Sequence, residues 1–270
     1  VAKIVDANKS KFAGYEIKGK KLGVIGLGSI GMMVANDCVY LGLDVMGYDP
    51  FISVDSAWGL LREVKPAPSL DPLLENSDII SLHMPLTEKT KSFINEARLK
   101  KMKKGAVILN FARAEIVDED AIITALDEGH LRLYVTDFPT DKLLKHNKVI
   151  SIPHLGASTK EAEDNCAVMI SEQVADYLEN GNIKNAVNFP DSYLERTSEF
   201  RLVVINKNIP NMVGQITAVL AEYQINISEM LNKSVGDIAY NIVDINNKPS
   251  EDVLNKIKNI EGITKVRLLG

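Results

Sequence analysis

Lys21 to Asp49 reads KLGVIGLGSIGMMVANDCVYLGLDVMGYD, and the fold is decided there. Leu22, Val24 and Ile25 form a short apolar run that suits a strand buried on both faces of a parallel sheet. The run ends on Gly26-Leu27-Gly28-Ser29-Ile30-Gly31, a G-x-G-x-x-G. In this pattern Gly26 permits the tight turn, Gly28 lets backbone approach a pyrophosphate, and Gly31 lets the next helix lie close to the strand. That helix, expected over 29–41, would face phosphate with its N-terminal N–H groups. A second strand over 44–48 delivers Asp49 eighteen residues after Gly31, where a carboxylate can accept both hydroxyls of an adenosine ribose. An acid there favours NAD and repels the extra phosphate of NADP. Glycine-rich turns also arise from close backbone packing, but strand, loop, helix, second strand and acid in this order point to a dinucleotide site.

At 270 residues the chain exceeds the usual size of one domain, so two are expected. A formal charge of -5 provides no basic field and argues against nucleic acid as a partner. No apolar run approaches the ~18 residues that span a bilayer, which argues against a membrane partner. Cys38 and Cys166 both fall in helical patterns and read as reduced core thiols of a cytoplasmic protein. No His/Cys cluster has metal-ligand spacing. The chain starts at Val1, not Met, as a processed or partial chain would.

Working outward from the glycine loop, 1–19 reads as a lead-in helix and turn, with Ile4, Val5 and Phe12 at helical spacing. Residues 51–68 read as irregular, with Trp58 a packing residue. A short helix over 70–75 is capped by Ser69, and a buried strand over 78–82 ends in His83-Met84-Pro85-Leu86-Thr87. His83 reads either as a locally hydrogen-bonded strand end or as part of a loop laid along the cofactor. Further strands over 106–110, 131–135 and 148–152 end in Asn110-Phe111-Ala112-Arg113, Thr136-Asp137-Phe138-Pro139 and Pro153-His154-Leu155-Gly156. Arg113, Asp137 and His154 thus share the carboxyl edge with the glycine loop, where open α/β sheets bind ligands. Singly, Arg113 could be a surface ion pair and His154 a satisfied imidazole. Together they suit hydride transfer: a guanidinium grips a carboxylate bidentately and an imidazole moves a hydroxyl proton.

A long helix over 159–181 follows, with Ala162, Cys166, Met169, Ile170, Val174 and Tyr177 as its buried stripe. Residues 182–196 read as a linker. Beyond them strands over 202–206, 226–233, 239–244 and 263–269 and helices over 212–223 and 250–260 give the order βαββαβ, a ferredoxin-like module. The fold class is α/β: a doubly wound parallel Rossmann sheet over 20–156, then a βαββαβ module over 197–270.

VIGLGSIG, HMPLT, NFAR before VDEDA, and PHLGAST before EAEDNCAVM make the chain resemble the D-2-hydroxyacid dehydrogenases. With its C-terminal module, similar to an ACT domain, it resembles the phosphoglycerate-oxidising members. The resemblance implies NAD as cofactor and oxidation of 3-phospho-D-glycerate to 3-phosphooxypyruvate, the first step of L-serine biosynthesis. It places the family's substrate-carboxylate arginine on Arg113, its acid/base histidine on His154 and its nicotinamide-carboxamide aspartate on Asp137. Gly26, Gly28, Ser29, Ile30, Gly31 and Asp49 match the cofactor contacts, with His83, Pro85 and Ala112 beside the nicotinamide half. Asn208 and Asn226 match effector asparagines of serine-regulated members, which implies L-serine as an effector. A homodimer or homotetramer is implied as well.

The sequence departs from the family pattern at several places. The family's substrate lobe precedes the lead-in helix, and this sequence starts after most of it, with 157–181 as the helix returning to that lobe. The glutamate that usually pairs with the histidine is replaced by Lys142, leaving Asp141 as the candidate partner of His154. Ala114 and Glu115 follow the arginine in place of glycine, and Asn206 stands at the effector histidine. Two rival readings follow: another D-2-hydroxyacid dehydrogenase or 2-ketoacid reductase, and a non-catalytic NAD- or amino-acid-sensing protein.

Overall fold

The computed structural model describes residues 14–270, so the lead-in helix expected over 1–13 lies outside the described residues. Backbone contacts divide the chain into two units, one running to Leu155 and the other spanning Gly156–Gly270.

In the first unit β1 (Lys21–Ile25), α1 (Ser29–Tyr40), β2 (Asp44–Tyr48), α2 (Val54–Gly59), β3 (Lys65–Pro66), α3 (Leu70–Asn76), β4 (Ile79–Leu82), α4 (Glu96–Lys101), β5 (Ala106–Asn110), α5 (Glu119–Asp127), β6 (Leu131–Thr136) and β7 (Val149–Ser151) alternate along the chain. Their strands form one parallel sheet in the order β3-β2-β1-β4-β5-β6-β7. Both faces are apolar. Leu22 and Val24 pack with Ala35, Leu43 and Val45 on one side, while Ile80, Leu82 and Ile108 pack with Leu73, Leu74 and Ile122 on the other. That double burial accounts for near-continuous apolar strands in place of alternating ones. Asn95 caps α4 by accepting from the Arg98 amide and Asp118 caps α5 by accepting from that of Ala121, whereas Ser69, expected to cap α3, makes no side-chain bond to its first turn.

One segment differs from its sequence reading. Residues 51–68, expected to be irregular, contain α2 and β3, and Trp58 is 85% exposed instead of packed. The ring is not what holds the segment. Asn36 on α1 donates to Gly59 O (2.8 Å) and accepts from the Leu61 amide (2.9 Å), so a polar side chain fixes the backbone.

The second unit opens with α6 (Lys160–Asn180), capped by Thr159 and ended by Gly181 at φ 73°. Its expected buried stripe is corrected: none of its residues is buried, and Cys166, Met169, Ile170 and Val174 are exposed. The helical spacing is real, but in this unit the helix meets other elements at its C-terminal end. There β8 (Phe200–Lys207), α7 (Met212–Glu222), β9 (Ile227–Val235), β10 (Ile238–Ile245), α8 (Glu251–Lys258) and β11 (Ile263–Leu269) form an antiparallel sheet, order β11-β8-β10-β9, with helices on one face. This is the ferredoxin-like arrangement.

Five successive carbonyls at the end of α6 are taken by side chains. Arg267 donates to Tyr177 and Leu178, Arg196 to Glu179, Arg201 to Asn180 and the Tyr240 hydroxyl to Gly181. The Tyr177 carbonyl also accepts from the Gly181 amide; the four after it are acceptors that a helix end leaves unpaired, and cations suit the negative end of its dipole. Burial pushes the Tyr240 hydroxyl well up, so it stays a donor. The segment 182–196 is pinned too, through an antiparallel bridge of Ile183 with Ser192 and two carbonyls, Leu194 and Glu195, bonded to Arg201.

Candidate active site

Because the first sheet is parallel, the residues after its strands gather at one edge. Gly26 follows β1, Asp49 β2, His83 β4, Arg113 β5, Asp137 β6 and His154 β7. A cleft of about 650 Å³ opens there, lined by Gly26, Gly28, Asp49, His83 and Pro85 together with Tyr48 and Phe93. Ser29, Ile30 and Gly31 form the first turn of α1 beside it. Ala112, Arg113, Asp137 and His154 share the edge without lining that cleft.

Gly26 and Gly31 stand where a side chain would not fit. Gly26 has φ +92°, and a Cβ there would lie 2.6 Å from the His83 carbonyl. At Gly31 a Cβ would fall 1.9 Å from Gly26 O. Gly28 is different: a Cβ would meet nothing within 4 Å, so its backbone faces open space at the start of α1, and no side chain caps that helix. Gly31→Ala is therefore expected to destabilise by about 1–3 kcal/mol through overpacking and to abolish NADH binding, read by thermal unfolding and NADH fluorescence titration.

Asp49 is aimed by backbone. Its Oδ2 accepts from the Leu27 amide and its Oδ1 from that of Phe51, each at 2.8 Å. Ionised carboxylate oxygens have lone pairs to spare for hydroxyl donors. Thr90 shapes the opposite wall, donating to Pro85 O (2.6 Å) and accepting from the Thr87 amide (2.7 Å). His83 Nε2 lies 2.8 Å from Ser81 Oγ, so it is a locally bonded strand end and also a lining residue. Burial pushes its imidazole down, which keeps it neutral.

Asn110 organises the loop that carries Arg113. Fully buried, it accepts from the Ala112 amide (3.2 Å) and donates to Arg113 O (3.0 Å) and Tyr134 Oη (3.2 Å). Sequence reading passed over this role, although an asparagine ending an apolar strand was the available signal. Arg113 itself is exposed, with Nη1 donating to Ala112 O at 2.6 Å.

His154 has a carboxylate partner. Its Nδ1 is 2.8 Å from Asp137 Oδ2, and the Phe138 ring lies 4.8 Å from the imidazole, centroid to centroid. The expectation that Asp141 would pair with His154 is corrected: the chain from β6 to β7 leaves Asp141 exposed and brings in Asp137, directly after β6. Lys142 pairs instead with Asp120 on α5.

Residues 2–156 match the family described as D-isomer specific 2-hydroxyacid dehydrogenase, NAD binding domain. The chain belongs to this family. It is similar to D-3-phosphoglycerate dehydrogenase of Haemophilus influenzae, 34% identical over 274 residues, covering 97% of this chain and 66% of that protein. It is also similar to D-3-phosphoglycerate dehydrogenase of Bacillus subtilis, 34% identical over 238 residues, covering 86% of this chain and 42% of that protein. The chain thus spans less than two thirds of the length of these relatives. Among solved structures, the NAD-complexed D-isomer specific 2-hydroxyacid dehydrogenase of Lactobacillus delbrueckii ssp. bulgaricus superposes with a TM-score of 0.56 at 29% identity, covering 66% of this chain and 59% of that one.

The first unit is therefore an NAD-binding domain of the 2-hydroxyacid dehydrogenases, and its cleft fits NAD. Open ground over Gly28, an uncapped helix start and a carboxylate fixed by two amides are what pyrophosphate and ribose require. Among the described residues no helix is long and apolar enough to cross a membrane.

Proposed function

We propose that the protein oxidises 3-phospho-D-glycerate to 3-phosphooxypyruvate with NAD, the first step of L-serine biosynthesis. The observation that carries this reading is the His154 imidazole beside a carboxylate, on the same sheet edge as the glycine loop and Asp49. Two relatives named D-3-phosphoglycerate dehydrogenase support the choice of substrate. Arg113 holds the substrate carboxylate, to which a guanidinium fork offers two parallel bonds. His154 takes the C2 hydroxyl proton as the C2–O bond becomes a carbonyl. NAD, when bound, supplies the hydride acceptor. Ala112 and Pro85 bound the nicotinamide half.

The C-terminal module is read as an ACT-type regulatory domain that takes L-serine at Asn208. Asn226, matched to the same effector, stands at the opposite end of α7 and of the β9–β10 hairpin, beside Asn246, and does not share that place within one module. Asn208 Nδ2 donates to Gly236 O at 3.0 Å, and the Asn208 amide to Asp237 O at 2.8 Å, joining its loop to the β9–β10 hairpin. Asn206 is 2% exposed and accepts from Asn241 Nδ2 at 2.6 Å, so it is withdrawn from that loop. The edge strands β9 and β11 offer unpaired backbone for a homodimer or homotetramer. Free Cys38 and Cys166 suit a cytoplasmic setting.

The test is specificity of the purified protein with NAD. The reading expects kcat/KM for 3-phospho-D-glycerate to exceed that for D-glycerate, D-lactate and glycolate, with L-serine lowering it. A preference for an unphosphorylated acid would assign a different dehydrogenase.

A further inference from the structure

Three polar side chains are buried side by side near the ends of β5 and β6. Asn110 and Thr136 are register partners on these strands and are 0% exposed; Tyr134, two residues before Thr136, is 1% exposed. Residues two apart on a strand share a face, so Tyr134 and Thr136 lie on one side of the sheet. One run of hydrogen bonds joins the three. Asn110 Nδ2 donates to Arg113 O at 3.0 Å and to Tyr134 Oη at 3.2 Å. An amide nitrogen only donates, so the phenol accepts there and has its own proton for Thr136, to which it is also hydrogen-bonded. Thr136 Oγ1 in turn accepts from the Phe138 amide at 3.1 Å. Burial pushes the Tyr134 phenol up, so it keeps its proton.

The run reaches from the loop that carries Arg113 to the turn whose Phe138 ring lies against the His154 imidazole. Apolar side chains in these places would cost little, because replacing both partners of a buried hydrogen bond by groups of the same shape is close to neutral. What a fully paired buried network adds is one fixed arrangement of the groups at its two ends. We propose that Tyr134 is a positioning residue: through Asn110 and Thr136 it locks the Arg113 loop to the Phe138 turn, and so fixes the guanidinium that holds the substrate carboxylate relative to the imidazole that takes the hydroxyl proton. Tyr134 is buried and does not line the cleft, so it acts by geometry. A misplacement of about 1 Å can cost on the order of 100-fold in rate. The tasks of Arg113 and His154 are taken from the functional reading above, whereas the hydrogen-bond run stands without it.

Tyr134→Phe removes the hydroxyl and keeps the ring in the core. Amide hydrogen exchange reads the run: the Ala112 amide, bonded to Asn110 Oδ1, and the Phe138 amide should both exchange about tenfold faster, with the β1 amides unchanged. Steady-state reduction of 3-phosphooxypyruvate reads the role: kcat/KM should fall about tenfold, while NADH affinity and the thermal midpoint change far less. Thr136→Val breaks the run at its other hydroxyl and guards against a poorly folded Tyr134→Phe. It should loosen the distant Ala112 amide as well and lower kcat/KM without adding to Tyr134→Phe, and Thr136→Ser should recover most of the loss. Unchanged exchange at Ala112 in both variants, unchanged kcat/KM, or a kcat/KM that falls no further than NADH affinity overturns the proposal. Faster exchange in the variants of a protein that binds NADH without any turnover would instead remove the functional reading and leave the run intact.

Discussion

His154→Ala lowers turnover by at least ~100-fold, the usual cost of losing a general acid/base. The substitution removes an imidazole that is half exposed, with a side-chain exposure of 51%, and that buries little core, so the fold and the cleft survive it. NADH affinity should therefore stay near wild type, because the glycine loop, Asp49 and the wall around Pro85 are untouched. Steady-state kinetics with 3-phosphooxypyruvate, together with an NADH titration, separates the two effects. Near-normal turnover in the variant would take His154 out of the mechanism.

Arg201→Ala destabilises the C-terminal module by about 3–5 kcal/mol, the range for breaking a buried ion pair by removing one partner. Arg201 and Asp244 are fully buried and doubly bonded, Nε to Oδ1 at 2.5 Å and Nη2 to Oδ2 at 2.9 Å. The same guanidinium also satisfies the carbonyls of Asn180, Leu194 and Glu195, so its loss strands four acceptor groups at once. Denaturant unfolding should show the second unit melting early while the first still binds NADH. Replacing both partners by apolar residues leaves no unpaired charge and should cost less than Arg201→Ala, but it still strands the three carbonyls and the Thr197 amide and so remains destabilising.

The same pair makes the module sensitive to acid. Burial pushes the Asp244 carboxyl up, but hydrogen bonds from Arg201 and from Thr197 outweigh this and hold it below the usual carboxylate range. A lowered native value stabilises the fold above the ordinary aspartate range, and that stabilisation is lost as the pH falls through the lowered value. Arg201→Ala should flatten this part of the stability profile. A variant with undiminished acid dependence would show that another carboxylate is responsible.

Features set by a residue's own backbone neighbours were legible in the sequence. The glycine loop is the clearest case, since turn, phosphate approach and helix packing each demand a missing Cβ at one position. The main strands of the parallel sheet were legible as apolar runs, and with them the shared edge that carries Arg113, Asp137 and His154; the order of the strands in the sheet was not. Features set by a distant partner were not legible. Trp58 looked like core because it is large, yet Asn36 holds its helix. The stripe on α6 has helical spacing, but spacing does not say whether a neighbour covers it. Asp141 and Asp137 are both acids close to one strand end, and choosing between them required the path of the chain from β6 to β7.

The most direct test of the account is the reductive reaction. Purified protein is mixed with NADH and 3-phosphooxypyruvate, and the near-ultraviolet absorbance of NADH is followed beside a binding titration. The account predicts saturable loss of NADH that depends on the phosphorylated acid. NADH that binds in the cleft but is not consumed would contradict it, and would leave the chain a cofactor-binding protein without the proposed chemistry.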